Sequence, residues 1–254
     1  MYNIINLKNK RILITGASSG IGHGIVRLLD KLDAQVIMIA RREERLKEIK
    51  ESLRNKESSY YVADLSDLYE IESLVNNIIH EQGALDGFVH SAGITSARPL
   101  KSIKPDVLNN VMTVNFYSFI ELCRCITIKK RFSLNGLNIV GISSTSSIQG
   151  NSSRTAYSAS KAAMDAAVRC MAKELAHKKI RINTVAPAFI DTDIYKSFLN
   201  YSGAEEDAKM VIARQYLGIG KPEDVANTVA FLLSDASRFI TGSTIGVDGG
   251  KLTW

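Results

Sequence analysis

Short apolar runs alternate with segments of helical periodicity from one end of the chain to the other. Residues 11–15, 35–40, 60–63, 87–90, 138–143, 181–185 and 244–247 read as strands. Residues 21–32, 41–54 and 162–176 are among the helices expected between them. Strands that are apolar at nearly every position need cover on both faces, which a parallel sheet flanked by helices provides. The expected architecture is therefore α/β, a doubly wound, seven-stranded parallel sheet with helices on both faces. No linker, repeat or low-complexity block interrupts the alternation, so residues 1–254 are read as a single domain. Residues 191–218 stand apart as a long connection after a strand's carboxyl end, where a substrate lid is expected.

Composition changes this picture little. Hydrophobic residues make up 45% and charged residues 23%, an ordinary globular balance. Cys123, Cys125 and Cys170 are odd in number and lack C-x-x-C spacing, so disulfides and metal binding are not expected. Small buried side chains in a reducing compartment suit them better. The amino terminus has no apolar signal region, and no run reaches the length of a membrane span. A cytoplasmic protein without a membrane partner is expected. The net charge of +6 favours anionic ligands mildly. Lys129, Lys130 and Arg131, with Lys178, Lys179 and Arg181, are solvated helix ends or an attraction for a phosphorylated cofactor or acidic carrier. No recognition motif or basic stripe with interleaved aromatics points to nucleic acid.

The first strand runs into Thr15-Gly16-Ala-Ser18-Ser19-Gly20-Ile21-Gly22 and then a helix. Gly16 permits a sharp turn, Gly20 lets backbone approach a pyrophosphate, and Gly22 lets the helix pack close to the sheet. The helix amino end then offers N–H donors to phosphates, as in a Rossmann fold. The spacing is G-x-x-x-G-x-G rather than the usual G-x-G-x-x-G. At the end of the second strand, where an acidic residue would bind both hydroxyls of an NAD ribose, stand Ala40, Arg41 and Arg42. Arg41 can offer its guanidinium fork to a 2′-phosphate, so NADP(H) is expected over NAD(H). The competing reading pairs these arginines with Glu43 or Glu44 on a surface helix.

Tyr157 and Lys161 are four apart, so a helix would place phenol and ammonium on one face. A neighbouring cation favours the phenolate, and Lys161 is expected to lower the Tyr157 pKa. Ser144, at the end of the fifth strand, could hold a substrate oxygen while Tyr157 transfers a proton. Asn115 is an amide on an otherwise apolar helical stretch. It could bond a broken helical turn or anchor a water beside Lys161.

Taken in order, these motifs resemble the short-chain dehydrogenase/reductase family. They are the glycine turn, Asp64-Leu65, Ala92-Gly93, Asn115, Ser144, Tyr157 with Lys161, Lys221-Pro-Glu-Asp-Val, and Ile240-Thr-Gly-Ser, and the resemblance spans nearly the whole chain. It implies that Asp64 and Leu65 contact adenine, and that Ile190 and Thr192, with Pro187 nearby, meet the nicotinamide carboxamide. It further implies Tyr157 as general acid of reduction, Lys161 on the ribose, Ser144 on the carbonyl, and Asn115 completing a proton relay. Two departures stand out: His90-Ser91-Ala92-Gly93 replaces Asn-Asn-Ala-Gly, and Pro187-Ala188 replaces Pro-Gly, losing access to positive φ. His90 itself reads as a strand-end histidine without chemistry. Within the family the style is closest to 3-oxoacyl-[acyl-carrier-protein] reductases, which makes the substrate a small carbonyl or alcohol, with a 3-oxoacyl group on an acyl carrier as one form. Sugar or polyol dehydrogenases of the same family remain alternatives, as does a non-catalytic NADP(H) sensor. The segment 162–176 carries Asp165, Arg169 and Lys173 on one stripe and is otherwise apolar, which suggests burial against a partner subunit. A homotetramer, or a homodimer, is expected.

Overall fold

The computed structural model describes residues 4–193, 195 and 213–253. Its strands are β1 (Arg11–Thr15), β2 (Gln35–Ala40), β3 (Ser59–Val62), β4 (Gly87–His90), β5 (Leu137–Ile142), β6 (Ile180–Pro187) and β7 (Thr244–Val247). They form one sheet in the order β3-β2-β1-β4-β5-β6-β7, parallel at every pairing. The strand order reverses between β1 and β4, which opens a crevice at their carboxyl ends.

The two-residue period of each strand divides its side chains between two cores. Ile12, Ile14, Val36 and Met38 face one side with α1 (Gly20–Lys31), α2 (Glu43–Ser52) and α7 (Pro222–Leu233). Leu13, Ile37, Ile39 and Phe88 face the other, under α3 (Ile71–Gln82), α5 (Ser118–Ile126) and α6 (Thr155–Leu175). Nearly all these strand residues are inaccessible to solvent, which is why the strands read as continuous apolar runs. α4 (Pro105–Met112) continues through a π-helical turn, Thr113–Tyr117, into α5. Most of the connection expected as a lid lies outside the described residues.

Several expectations are corrected. The helix expected over 41–54 spans only Glu43–Ser52, because Arg42 is extended and the acidic pair Glu43 and Glu44 occupies the first turn, where the helix dipole favours it. The helix expected over 162–176 begins at Thr155 and so carries Tyr157 and Lys161 on its first turns. Asp165 does not share a solvent stripe with Arg169 and Lys173. It is buried against the sheet and accepts a 2.7 Å hydrogen bond from Thr184. Cys123 and Cys125 are buried as expected, but Cys170 is exposed on the outer side of α6.

The arginine of each basic cluster has structural work. Arg131 donates to the Cys125 carbonyl, and Arg181 to the carbonyls of Ile240, Leu232 and Ser234. Ala188 does not take a positive φ, so the loss of glycine there costs the backbone nothing. Thr15 Oγ1 accepts from the Ala92 N–H at 3.1 Å and pairs with His90 Nδ1 at 3.1 Å, which ties the ends of β1 and β4.

Candidate active site

A cleft of about 650 Å³ opens along the carboxyl edge of the sheet. One end is floored by the β1–α1 turn. Gly16 and Gly20 hold φ of +66° and +54°, where a side chain would be strained. At Gly22 a Cβ would lie 2.2 Å from the Gly16 carbonyl oxygen, so only glycine lets the helix close on the strand. Ser19 caps α1 without a side-chain hydrogen bond, which leaves the first-turn N–H groups directed at the cleft. A turn shaped this way fits a pyrophosphate. Ser18 and Ile21 complete this wall.

Arg41, Arg42, Asp64 and Leu65 line the same end. The guanidinium of Arg42 donates to the Ser18 carbonyl at 3.3 Å and to the Ser18 hydroxyl at 3.1 Å, not to the neighbouring glutamates. Arg41 is exposed. The N–H and hydroxyl of Ser66 hold the Asp64 carboxyl below its ordinary range, and Arg41 adds to the effect. Two arginines therefore border the cleft just past the end of β2.

At the other end Ser144, Tyr157 and Lys161 converge, with Ala92, Gly93, Pro187, Ile190 and Thr192 around them. Ser144 caps the short helix Thr145–Ser147, and its hydroxyl accepts from the Ser146 N–H at 3.1 Å. The buried Lys161 ammonium donates to the Ile142 carbonyl at 2.7 Å and lies 5.9 Å from the centre of the Tyr157 ring. Burial pushes Lys161 down to about 8, with Asp165 opposing. The expected lowering of Tyr157 is not found. Burial raises the phenol, opposed by a hydrogen bond with Ser144 and by the charge of Arg154. Loss of hydration outweighs both. Tyr157 nevertheless keeps part of its surface open to the cleft.

Asn115 does not line the cleft but lies behind it, fully buried in the π-helical turn. Its amide donates to the Ile94 carbonyl at 3.0 Å and to Ser160 Oγ at 3.0 Å, and its oxygen accepts from the Ile94 N–H at 2.8 Å. A Cβ at Gly93 would come within 3.3 Å of that oxygen and 3.5 Å of the Lys161 nitrogen, so Asn115 and Lys161 border one small gap. His90 is fully buried between Phe88 and Phe119, and burial, with Lys161 nearby, pushes its pKa down to about 3. It is held neutral.

Sequence reasoning missed Arg214 and Lys251, which line the cleft together with Arg154. Arg154 is legible in the sequence as the charge of the polar loop after Ser144, which also holds Gln149 and Asn151 and suits a hydroxylated or charged substrate. Lys251 carried no such signal, because the Gly249-Gly250 turn alone brings it inward. Elsewhere Glu72, Glu121 and Cys125 come together as a possible ligand set for a metal. The Arg124 guanidinium already bonds both carboxylates at 2.6 Å.

A parallel sheet with a phosphate-binding turn at one end and a Ser–Tyr–Lys group at the other defines an oxidoreductase site. The family model described as enoyl-(acyl carrier protein) reductase matches residues 16–251. The chain belongs to the short-chain dehydrogenase/reductase family, whose members are oxidoreductases acting on CH–OH and carbonyl groups. Its sequence is similar to the 3-oxoacyl-[acyl-carrier-protein] reductase of Rickettsia felis, at 39% identity over 98% of this chain and 99% of the relative. The reductase of the same name from Thermotoga maritima is 36% identical over 97% of this chain and 99% of the relative. Among solved structures, a short-chain type dehydrogenase/reductase from Mycobacterium ulcerans aligns with a TM-score of 0.88 and 28% identity, over 98% of this chain and 91% of that one.

Proposed function

We propose that the protein is an NADPH-dependent reductase of a carbonyl carried on a thioester, of the 3-oxoacyl type. The observation that carries this reading is the convergence of Ser144, Tyr157 and Lys161 at one end of a cleft whose other end holds Arg41 and Arg42. Bound along this cleft, the cofactor supplies the hydride. The strained glycine turn and the uncapped start of α1 suit its pyrophosphate, Asp64 and Leu65 its adenine, and Ile190 and Thr192 its carboxamide. Arg41 meets the 2′-phosphate with a fork that ribose hydroxyls cannot use.

The Ser144 hydroxyl holds the substrate oxygen, and the Tyr157 phenol donates its proton to that oxygen. A phenol held protonated by burial is in the right form to act as an acid. Lys161 binds the ribose, and its ammonium offsets the charge left on Tyr157 when the proton has gone. Asn115 is a positioning residue that fixes the strand end at Ile94 and the α6 turn at Ser160. The gap it shares with Lys161 at Gly93 suits a water for proton return.

The name shared by the relatives supports the thioester. The outer side of α6, with small exposed Ala166 and Cys170, suits close contact with a second copy, and we assign a homotetramer to the active form. The test is loss of reduced-nicotinamide absorbance, with NADPH and NADH in parallel, against a 3-oxoacyl thioester, a keto-sugar and a small diketone. Turnover of the thioester with NADPH is the expected result. Turnover of only the sugar or the diketone would discard the thioester and keep the reaction class.

A further inference from the structure

Among the described residues, Arg154, Arg214, Asp193 and Lys251 line the cleft, Lys251 from the turn that follows β7. Lys251 is 5% exposed, and its ammonium sits 4.4 Å from the centre of the Phe189 ring. That position is built. The Gln215 side chain, itself buried, accepts from the Phe189 N–H at 3.0 Å and donates to the Phe189 carbonyl at 3.0 Å. The Leu217 N–H donates to the Gly249 carbonyl, which anchors the turn before Lys251. Among the described residues the acid that acts on it, Asp248, accepts with its two carboxylate oxygens from the N–H groups of Gly250 and Leu252.

Burial holds Lys251 below the usual lysine range. Asp248 opposes this, but Arg214 and Arg154 push in the same direction as burial. An ammonium kept out of water among cations is costly unless an anion offsets it. A ring face offsets part of the cost but cannot replace a counter-charge.

We propose that Lys251 binds a carboxylate carried by the substrate, so that this enzyme selects acidic carbonyl compounds over neutral ones of the same shape. The inference rests on the reductase reading of the site, and a thioester whose acyl chain ends in a carboxylate satisfies both.

The test compares wild-type protein with Lys251→Met, which keeps the length and removes the charge. Both are assayed with NADPH against a 3-oxo acid, its methyl ester and a neutral 3-oxoacyl thioester. The wild type is expected to favour the acid over the ester by roughly tenfold or more in kcat/KM, mainly through KM, as one charge-assisted contact implies. Lys251→Met should bring that ratio close to one. Equal use of acid and ester by the wild type, or a variant that weakens acid and ester alike, would overturn the proposal. A second readout needs no turnover: calorimetric titration of the NADP⁺-loaded protein with the matching 3-hydroxy acid and its ester. Acid binding that Lys251→Met removes, with no carbonyl reduced, would leave the anion site standing and remove the reductase reading. Reduction of neutral carbonyls without acid binding would do the reverse.

Discussion

Asn115 grips Ile94 by both backbone groups, accepting from its N–H at 2.8 Å and donating to its carbonyl at 3.0 Å. A buried amide that matches both groups of one residue acts as a substitute strand partner just past the end of β4. The π-helical turn directs it there, since the extra residue in that turn swings the side chain out of the ordinary helical ladder. Replacement by alanine would strand the N–H and carbonyl of Ile94. Asn115→Ala should therefore lose about 1–3 kcal/mol of stability, read as a lower urea midpoint at unchanged m-value. Turnover should fall as well, because Gly93 and Lys161 border the same gap.

Tyr157→Phe removes one hydroxyl and leaves the ring in place. It should lower kcat by about a hundred- to ten-thousand-fold, the range of a lost general acid, with little change in cofactor Kd. Fluorescence titration with NADPH beside steady-state assays separates the two effects. Activity at the wild-type level would remove Tyr157 from the chemistry.

Arg41 and Arg42 should behave differently although they are neighbours. Arg41→Ala is expected to weaken NADPH binding by roughly ten- to a hundredfold, the size of a charge-assisted contact, and to spare NADH. Arg42 holds Ser18 by its carbonyl and hydroxyl, so Arg42→Ala should disturb the phosphate turn and weaken both cofactors. Equal losses of NADPH and NADH in Arg41→Ala would contradict the 2′-phosphate contact.

His90 makes a prediction about acid stability. Its folded pKa is about 3 against an ordinary 6.5, so between those values the unfolded chain binds the extra proton and the native one does not. Stability therefore rises with pH through this window and is lost as pH falls from 6.5 towards 3, by up to about 1.4 kcal/mol per pH unit. Replacing the ring with a side chain that does not titrate isolates the effect from the carboxylates. His90→Asn should show a flatter decline than wild type in urea denaturation between pH 6 and about 4. Parallel curves would mean that the histidine does not control this limb.

The strands were legible because burial on both faces leaves them apolar at nearly every position, and Arg11–Thr15, Gln35–Ala40, Gly87–His90 and Thr244–Val247 have the bounds read from sequence. Helix ends were less legible. Arg41 and Arg42 read as the start of a helix, but the dipole favours Glu43 and Glu44 in the first turn, and the arginines stay outside it. Tyr157 and Lys161 could be paired from spacing alone because a single helix carries both.

The order of motifs along the chain determined the class of fold, the glycine turn and the pairing of Tyr157 with Lys161 on one helix, since each depends on local geometry over a few residues. Tertiary structure decided what those groups experience. It buried Tyr157 so that desolvation raises a pKa expected to fall, and it turned Lys161 towards the Ile142 carbonyl. It also carried Lys251, ninety residues beyond Lys161, to the wall of the same cleft. Burial and long-range approach are properties of the packed sheet and its crossovers. A local pattern of residues carries no record of which distant group will share its low-dielectric pocket.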